Sequence, residues 1–599
     1  MKKDVILYII SIIFFILGIT IDIGGYQFIF YFISVFLVGY DLIIEGIKNI
    51  FKLNFEEDTL MTIAVIAAFI LGEYPESCLV LLLYKLGEFL EDYAVDKSNN
   101  NIEEITKIKS NTANLLIDNK IEVVEVEKLK VGDKILIKAG EKVPVDCRIY
   151  KGATKIDASP ITGESKKIDK EENMELLSGS LNLTGGIYCE VTKEYKDSTA
   201  TKIVDLVYEA TNNKGKTEKF ITKFSKIYTP IVIVIAILIT VIPAIMGLNI
   251  KAWVMKSLFF LVASCPCSII ISIPLSFLSC IGAISKKGMI IKGTKHIENL
   301  SKSKAIAFDK TGTLTTGEVT IEKIETFNKF DKNIMLQYIF NLEELSNHPI
   351  SKVIKEIGIK PEKLEVKDYK EIAGHGIYAK INDEEVIFGN KKLLDKYKVN
   401  TDNYVEDSIT LSINKEIIGY ITLKEKSREE AKDLIKRLSE IGINRVVMLT
   451  GDNKKSANKI AEELKISEVY SELLPEQKLE KVNEIKKENK VIFVGDGIND
   501  SPVIATADFG ISMGEGTEIA NNTSDAILLS NNLATMPNII NIARESMKIV
   551  KFNIAFSLIV KFIVLILGFI GIAPMWSAVL ADTGVSLITV LNSVRIFKK

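Results

Sequence analysis

Long apolar runs alternate with long polar stretches, and this constrains the fold more than any other feature. Residues 5–20, 26–46, 59–72, 75–93, 228–248, 253–285, 553–572 and 574–596 are apolar, each long enough, or nearly so, to cross a hydrocarbon core of about 30 Å. They come in close pairs, which gives eight candidate spans and leaves two large polar stretches, about 97–215 and 287–550. Residues 47–58 are expected at the interface. An even number of spans puts both termini on one side. The short loops near 21–25, 73–74, 247–252 and 571–573 hold only Lys251 as a basic residue. Lys2, Lys3, Lys48, Lys52, Lys286, Lys287, Arg595, Lys598 and Lys599 fall on the opposite side, which the positive-inside rule assigns to the cytosol together with both large loops. The start, Met1-Lys2-Lys3 and an apolar run, has the outline of a signal peptide. It lacks a small-x-small cleavage site, so an uncleaved hairpin is predicted.

The 599 residues exceed a single core, and 47% hydrophobic content beside 25% charge indicates membrane and soluble parts in one chain. A net charge of −2 gives no argument for nucleic acid. Six cysteines, at 78, 147, 189, 265, 267 and 280, show no disulfide framework and no four-thiolate zinc spacing. Only Cys265-Pro266-Cys267, inside the sixth run, stands out. A mid-membrane proline removes a backbone donor and breaks the helix. Two flanking thiolates select soft or borderline ions such as Zn²⁺, Cd²⁺, Pb²⁺ or Cu⁺.

In the second large stretch, strand-like runs at 305–308, 445–449 and 491–494 alternate with helical ones, which predicts a doubly wound parallel sheet. Each run ends in chemistry. The first gives Asp309-Lys310-Thr311-Gly312-Thr313-Leu314-Thr315, the second Thr450-Gly451-Asp452, the third Gly495-Asp496-Gly497-Ile498-Asn499-Asp500. Ligands bind at the carboxyl ends of such strands. A carboxylate there can carry a phosphoryl group as an aspartyl-phosphate. Converging carboxylates suit Mg²⁺ with phosphate oxygens as further ligands, and Lys478 offers positive charge to a transferring phosphoryl group.

The seven-residue Asp309 motif resembles the phosphorylation motif of the P-type ATPases. The resemblance implies that Asp309 is the nucleophile and that Asp309, Thr311 and Asp496 hold Mg²⁺. Thr450 and Lys478 would contact phosphate, with Asn499 and Asp500 supporting the site. In the first stretch, Thr162-Gly163-Glu164 resembles the actuator loop, implying that Glu164 positions the water that releases phosphate. In the insertion at 318–424, Glu343, His348-Pro349, Gly374-x-Gly376 and Gly389-Asn390 resemble the nucleotide domain of the heavy-metal branch. There the histidine orients the adenine and the glycines admit the base. No Walker-type P-loop is present, so ATP must use this other solution.

Within the membrane, Cys265, Cys267, Lys561 and Asp582 resemble the zinc/cadmium/lead exporters. A charge inside a span costs about 2.5–3.5 kcal/mol even on lenient scales, so Lys561 and Asp582 are read as functional. Two thiolates and a carboxylate overcompensate a divalent ion by one charge, and Lys561 would act as built-in counter-ion. Glu76 matches the family's release-path carboxylate and Asp58 an acidic position at the inner mouth, whereas Glu88 and Glu91 are expected at the interface. Gly39-Tyr40 stands where relatives often have a Gly-Gly kink. The copper subgroup's Tyr-Asn and Met-x-x-Ser-Ser patterns are not supplied by Asn553-Ile554 or Met575-Trp576-Ser577-Ala578.

The expected fold is multi-domain. An α-helical membrane domain of eight spans carries a β-rich actuator domain, an α/β haloacid-dehalogenase-like phosphorylation domain and an α+β nucleotide-binding domain. The expected boundaries are 1–96 for spans one to four, 97–215 for the actuator and 216–286 for spans five and six. The phosphorylation domain takes 287–317 and 425–550, the nucleotide domain 318–424, and spans seven and eight 551–599. The expected protein is a cytoplasmic-membrane pump using ATP and Mg²⁺ to export Zn²⁺, Cd²⁺ or Pb²⁺. It is expected to be a monomer without an N-terminal Cys-x-x-Cys domain. The rival readings are a Cu⁺ exporter and a non-transporting membrane phosphatase or metal sensor.

Overall fold

A computed structural model describes residues 2–598 except 22–25, 53–56, 107–108, 118–119, 163–166, 213–214, 328–329, 347–350, 352, 355–356, 358–361, 373–374, 407, 497–499, 515–517 and 530. The chain forms two compact units. One comprises Met1–Lys304, Ile485–Ile492 and Ile504–Lys599; the other comprises Ala305–Glu484 and Phe493–Val503.

The first unit contains the apolar helices. Among the described residues, five helical stretches are long and apolar enough to cross a membrane: Phe28–Phe51, Ile227–Ile245, Ile250–Ser285, Leu533–Ile570 and Met575–Lys598. Val5–Thr20 and Asp58–Ile70 are shorter apolar helices, and Tyr74–Thr106 is one continuous helix. Small residues set the spacing between neighbours. A side chain at Gly39 would meet Leu81, and one at Gly46 would overlap Thr62. The helix Phe28–Phe51 runs unbroken through Gly39-Tyr40. Hydroxyl and amide groups join the helices around the Cys-Pro-Cys segment. Ser268 bonds Ser557 at 3.0 Å, the Asn553 amide donates to the Thr589 carbonyl at 3.1 Å, and Ser276 bonds Ser593 at 2.8 Å.

The same unit holds the β-rich domain. Six strands lie in the order Lys120–Glu125, Thr112–Ile117, Lys134–Ile137, Ile187–Val191, Cys147–Lys151, Glu175–Leu176, and their pairings are antiparallel. Alternation puts Ile187, Cys189 and Val191 inside and Glu190 outside, the pattern of a sheet covered on one face. Asp146 is buried beneath it. Its carboxylate accepts from the Ser178 and Thr199 backbone N–H groups, the Thr199 hydroxyl and the Lys193 ammonium.

The second unit contains three neighbouring parallel strands in the order Ala305–Asp309, Arg445–Leu449, Glu468–Tyr470. Ala305–Asp309 pairs in parallel with Arg445–Leu449, and every residue of Ala305–Asp309 is buried, as a central strand covered on both faces requires. Between these two strands the chain leaves to build a six-stranded antiparallel sheet. Its order is Thr315–Thr326, Glu416–Ser427, Ser408–Ile413, Glu384–Gly389, Gly376–Ile381, Val366–Ile372. The helix Lys332–Glu343 packs on it through Met335, Leu336, Ile339 and Leu342. The outgoing strand Thr315–Thr326 and the returning strand Glu416–Ser427 are hydrogen-bonded partners that start together at Thr315 and Ser427.

Candidate functional site

Asp309 ends its strand with its side chain almost fully buried. The Lys478 ammonium lies 2.5 Å from Asp309 and 2.9 Å from Asp500. Carboxylate oxygens of Asp309, Asp496 and Asp500 fall within 4.8 Å of one another. Burial first, then the nearby Asp500, raise the Asp309 carboxyl to about 7, with Lys478 pulling it down and Asp496 pushing it up. Burial and Asp500 also raise Asp496, against Lys478 and Arg428. Three hard oxygen donors with one ammonium leave excess negative charge, a donor set that fits Mg²⁺.

The loop after Asp309 makes this crowding possible. Gly312 has φ +70°, and a Cβ there would overlap the Asp496 carboxylate. Thr311 is exposed beside it. Thr450 is buried at the end of its strand, and its hydroxyl accepts from the Asp452 N–H at 3.1 Å. Asn499 and Glu164 lie outside the described residues.

Two basic residues here went unassigned in the sequence. Lys310 is wholly buried and pairs with Glu425 at 3.0 Å and with Asp452. Arg428 follows the returning strand of the insertion and binds the loop carbonyls of Gly312 and Thr313. Lys310 gave a usable signal, a lysine between a buried strand and a tight loop. Arg428 gave none, because its partners lie over a hundred residues away in sequence.

In the insertion, Glu343 is buried at the end of its helix. Gly376 and Gly389 stand opposite each other on adjacent strands, and a Cβ on Gly376 would overlap the Phe388 carbonyl and Gly389 Cα. The glycine pair thus answers first to strand approach. Asn390 caps the helix Lys391–Lys396, its side chain accepting from the Leu393 N–H at 3.2 Å. His348 and Gly374 lie outside the described residues.

The membrane cluster forms where the helix breaks. Ile250–Ala263 ends before Cys265-Pro266, and the next helix starts at Cys267. The Lys561 ammonium donates to the carbonyl of Cys265 and lies 2.5 Å from Asp582. That satisfies a carbonyl released by the proline break. Sulfur atoms of Cys265 and Cys267 and an oxygen of Asp582 lie within 4.8 Å of one another. The two cysteines are joined as a disulfide, so the pair must be reduced before it can ligate an ion as thiolates.

A cavity of about 210 Å³ opens onto this cluster, lined by Cys265, Cys267 and Asp582 and by Tyr84, Gly87, Glu88, Glu91 and Asp92. Glu88 and Glu91, expected at the interface, line this cavity beside the cluster. Their helix runs on to Thr106, and positions 84, 87, 88, 91 and 92 share the face that looks into the cavity. Asp58 accepts a hydrogen bond from the Tyr84 hydroxyl at 2.9 Å. Glu76 accepts from the backbone N–H of Met575 at 2.6 Å.

Comparisons with known proteins agree with this architecture. Residues 107–208 match the model of the P-type ATPase actuator domain, and residues 303–508 match that of haloacid dehalogenase-like hydrolases. A cadmium, zinc and cobalt-transporting ATPase of Bacillus subtilis is 39% identical over 586 residues, covering 96% of this chain and 84% of the relative. A zinc-transporting ATPase of Synechocystis is 37% identical, covering 94% and 79%. The crystal structure of a zinc-transporting PIB-type ATPase in the E2.Pi state aligns over 100% of both chains with a TM-score of 0.62 at 29% identity. The chain belongs to the heavy-metal-transporting P-type ATPases, multi-pass membrane proteins with cytosolic domains that couple ATP hydrolysis to metal-ion transport.

Proposed function

We propose that this chain exports Zn²⁺ and Cd²⁺ across the cytoplasmic membrane at the expense of ATP, through an aspartyl-phosphate on Asp309. The observation that carries the reading is the convergence of Cys265, Cys267 and Asp582 at a helix break, with Lys561 on the carboxylate. Two thiolates with one hard oxygen suit a divalent borderline ion better than Cu⁺. Cobalt joins the candidates through the names of the relatives. Lead rests on ligand chemistry alone. The eight-span count, the domain boundaries given above and the cytosolic termini belong to the same reading, as does a monomer.

An Asp309 carboxylate oxygen attacks the γ-phosphorus of ATP, and the bond from that phosphorus to the ADP oxygen breaks. Lys478 neutralises charge on the transferring group and holds Asp309 in place, with Thr450 on the phosphate and Asp500 and Asn499 behind. Asp309, Thr311 and Asp496 would hold Mg²⁺, which would supply positive charge to the phosphate oxygens. Glu164 then takes a proton from water, the water oxygen attacks phosphorus, and the bond to Asp309 breaks. Glu343, His348, Gly374, Gly376, Gly389 and Asn390 seat the nucleotide. Metal approaches past Asp58 and the cavity carboxylates, binds the reduced cysteines and Asp582, and leaves past Glu76, when Lys561 reclaims Asp582.

Purified protein in thiol buffer, assayed for ATPase stimulation and vesicle uptake with Zn²⁺, Cd²⁺, Pb²⁺, Co²⁺ and Cu⁺, tests the proposal. Zn²⁺ and Cd²⁺ should stimulate the parent. Asp582→Ala should lose that stimulation, and Lys561→Ala should bind metal but turn over slowly, because an emptied site without its ammonium holds the cation. Stimulation by Cu⁺ alone, or normal Zn²⁺ pumping by both variants, would overturn it.

A further inference from the structure

We propose that Arg428 is a positioning residue for phosphoryl transfer, holding the loop after Asp309 in register with the insertion that would deliver nucleotide. The proposal rests on the reading of Asp309 as nucleophile. Arg428 makes three hydrogen bonds to three successive carbonyls of that loop. Its backbone N–H donates to Leu314 at 3.0 Å, its Nε to Thr313 at 2.9 Å and its Nη2 to Gly312 at 3.0 Å.

The consequence follows from peptide geometry. In a trans peptide the C=O and the following N–H point in opposite directions. Fixing the carbonyls of Gly312 and Thr313 toward Arg428 therefore turns the N–H groups of Thr313 and Leu314 away from it. The Thr315 N–H closes on the Lys310 carbonyl. A loop held this way offers N–H groups to an anion at the strand end without reorganising when charge arrives.

The location of Arg428 adds the second half. It directly follows the strand Glu416–Ser427, whose last residue pairs with Thr315, the first residue of the outgoing strand. The Thr315 hydroxyl also bonds Glu425 at 2.8 Å, on the returning strand. Both strands of the insertion thus root on the phosphorylation loop at one point, where the Thr315 hydroxyl bonds the Lys310 carbonyl and the Arg428 guanidinium grips the carbonyls of Gly312 and Thr313. A guanidinium suits this task because its fixed fork of donors spans adjacent carbonyls, whereas an ammonium is a point donor.

The test uses the full-length protein with Arg428→Ala and Arg428→Lys, measuring the rate of acid-stable phosphoenzyme formation from labelled ATP, nucleotide affinity by equilibrium binding, and thermal unfolding. Arg428→Ala should slow phosphorylation on the order of 100-fold, the scale of a small misplacement at a reacting centre, with nucleotide affinity within about threefold of the parent. Arg428→Lys should recover part of the rate, leaving a loss of about tenfold. Phosphorylation at the parent rate in either variant overturns the proposal. So does a loss of rate, affinity and thermal stability in parallel, which would mark a general structural role. If Arg428→Ala does not fold, Arg428→Lys decides alone. Asp309→Asn run alongside separates the two claims: labelling that survives there sinks the nucleophile assignment, whereas its loss there beside a parent-rate Arg428 variant sinks only this one.

Discussion

Replacing Gly312 by alanine separates backbone strain from misplacement at the proposed phosphorylation site. Gly312 sits at φ +70°, and a Cβ there would overlap the carboxylate of Asp496. Left-handed backbone costs a non-glycine residue about 1–2 kcal/mol. The collision adds a separate effect, because Asp496 must move out of the way. A shift of order 1 Å at a reacting centre costs about 100-fold in rate, equivalent to about 2.7 kcal/mol of barrier at 1.36 kcal/mol per tenfold. Gly317 provides the control, with φ +73° and no heavy atom within 4 Å of where its Cβ would lie. Gly317→Ala therefore carries the strain without the collision. Both variants should lose about 1–2 kcal/mol of stability. Only Gly312→Ala should form phosphoenzyme about 100-fold more slowly and need more Mg²⁺ to do so. Rapid-quench labelling with ATP over a Mg²⁺ series, with thermal unfolding in parallel, gives both quantities. Equal phosphorylation rates for the two variants would refute the reasoning, since the overlap with Asp496 would then have no consequence.

Asp309→Asn should abolish the acid-stable phosphoenzyme and also stabilise the Mg²⁺-free protein. A carboxyl raised to about 7 opposes folding when ionised, so the penalty is absent at low pH, grows as pH rises, and is complete above that value. The gain in Tm should be largest near pH 8 and shrink toward pH 5; equal Tm values at pH 8 would contradict it. Asp146 behaves oppositely. Burial pushes its carboxyl up, but hydrogen bonds from Ser178, Lys193 and Thr199 outweigh this and hold it low. Its stabilisation is complete above the unfolded value of about 3.9 and is lost as pH falls through the lower folded value. Asp146→Asn should cost about 1–3 kcal/mol at neutral pH and flatten the acid limb of the unfolding profile, and an unchanged limb would count against it. Glu164→Gln should accept phosphate from ATP and retain it; dephosphorylation at the parent rate in a chase would assign the water to another residue.

The positions at strand ends were legible in the sequence because a buried parallel strand reads as a short apolar run, and the residue that ends it is fixed within one position. Asp309, Thr450 and Asp496 follow from that alone. The break at Pro266 was equally local. What stayed hidden depends on contacts between distant segments. That Glu88 and Glu91 share a cavity with Cys265 and Asp582 depends on packing between helices, which a hydropathy window does not carry. The cap that the Asn390 side chain gives to the helix beside it is a local contact that the nucleotide pattern does not announce. Gly376 and Gly389 face each other across two strands, a pairing that spacing does not reveal.

The hydrogen bond from Met575 to Glu76 sits at the first residue of the helix that also carries Asp582. Seven residues of helix separate the two points, about 10 Å at 1.5 Å per residue. One rigid rod therefore spans from the carboxylate beside Cys265 and Cys267 to the carboxylate proposed for the path out. The N-terminal end of that rod carries partial positive charge, which keeps Glu76 occupied while the helix stays in place. A turn of the helix about its own axis would swing Asp582 away from Cys265 and Cys267 and pull the Met575 N–H from Glu76 in the same movement. Letting go at one end and making an acceptor vacant at the other would then be a single mechanical event, like a crankshaft with two throws.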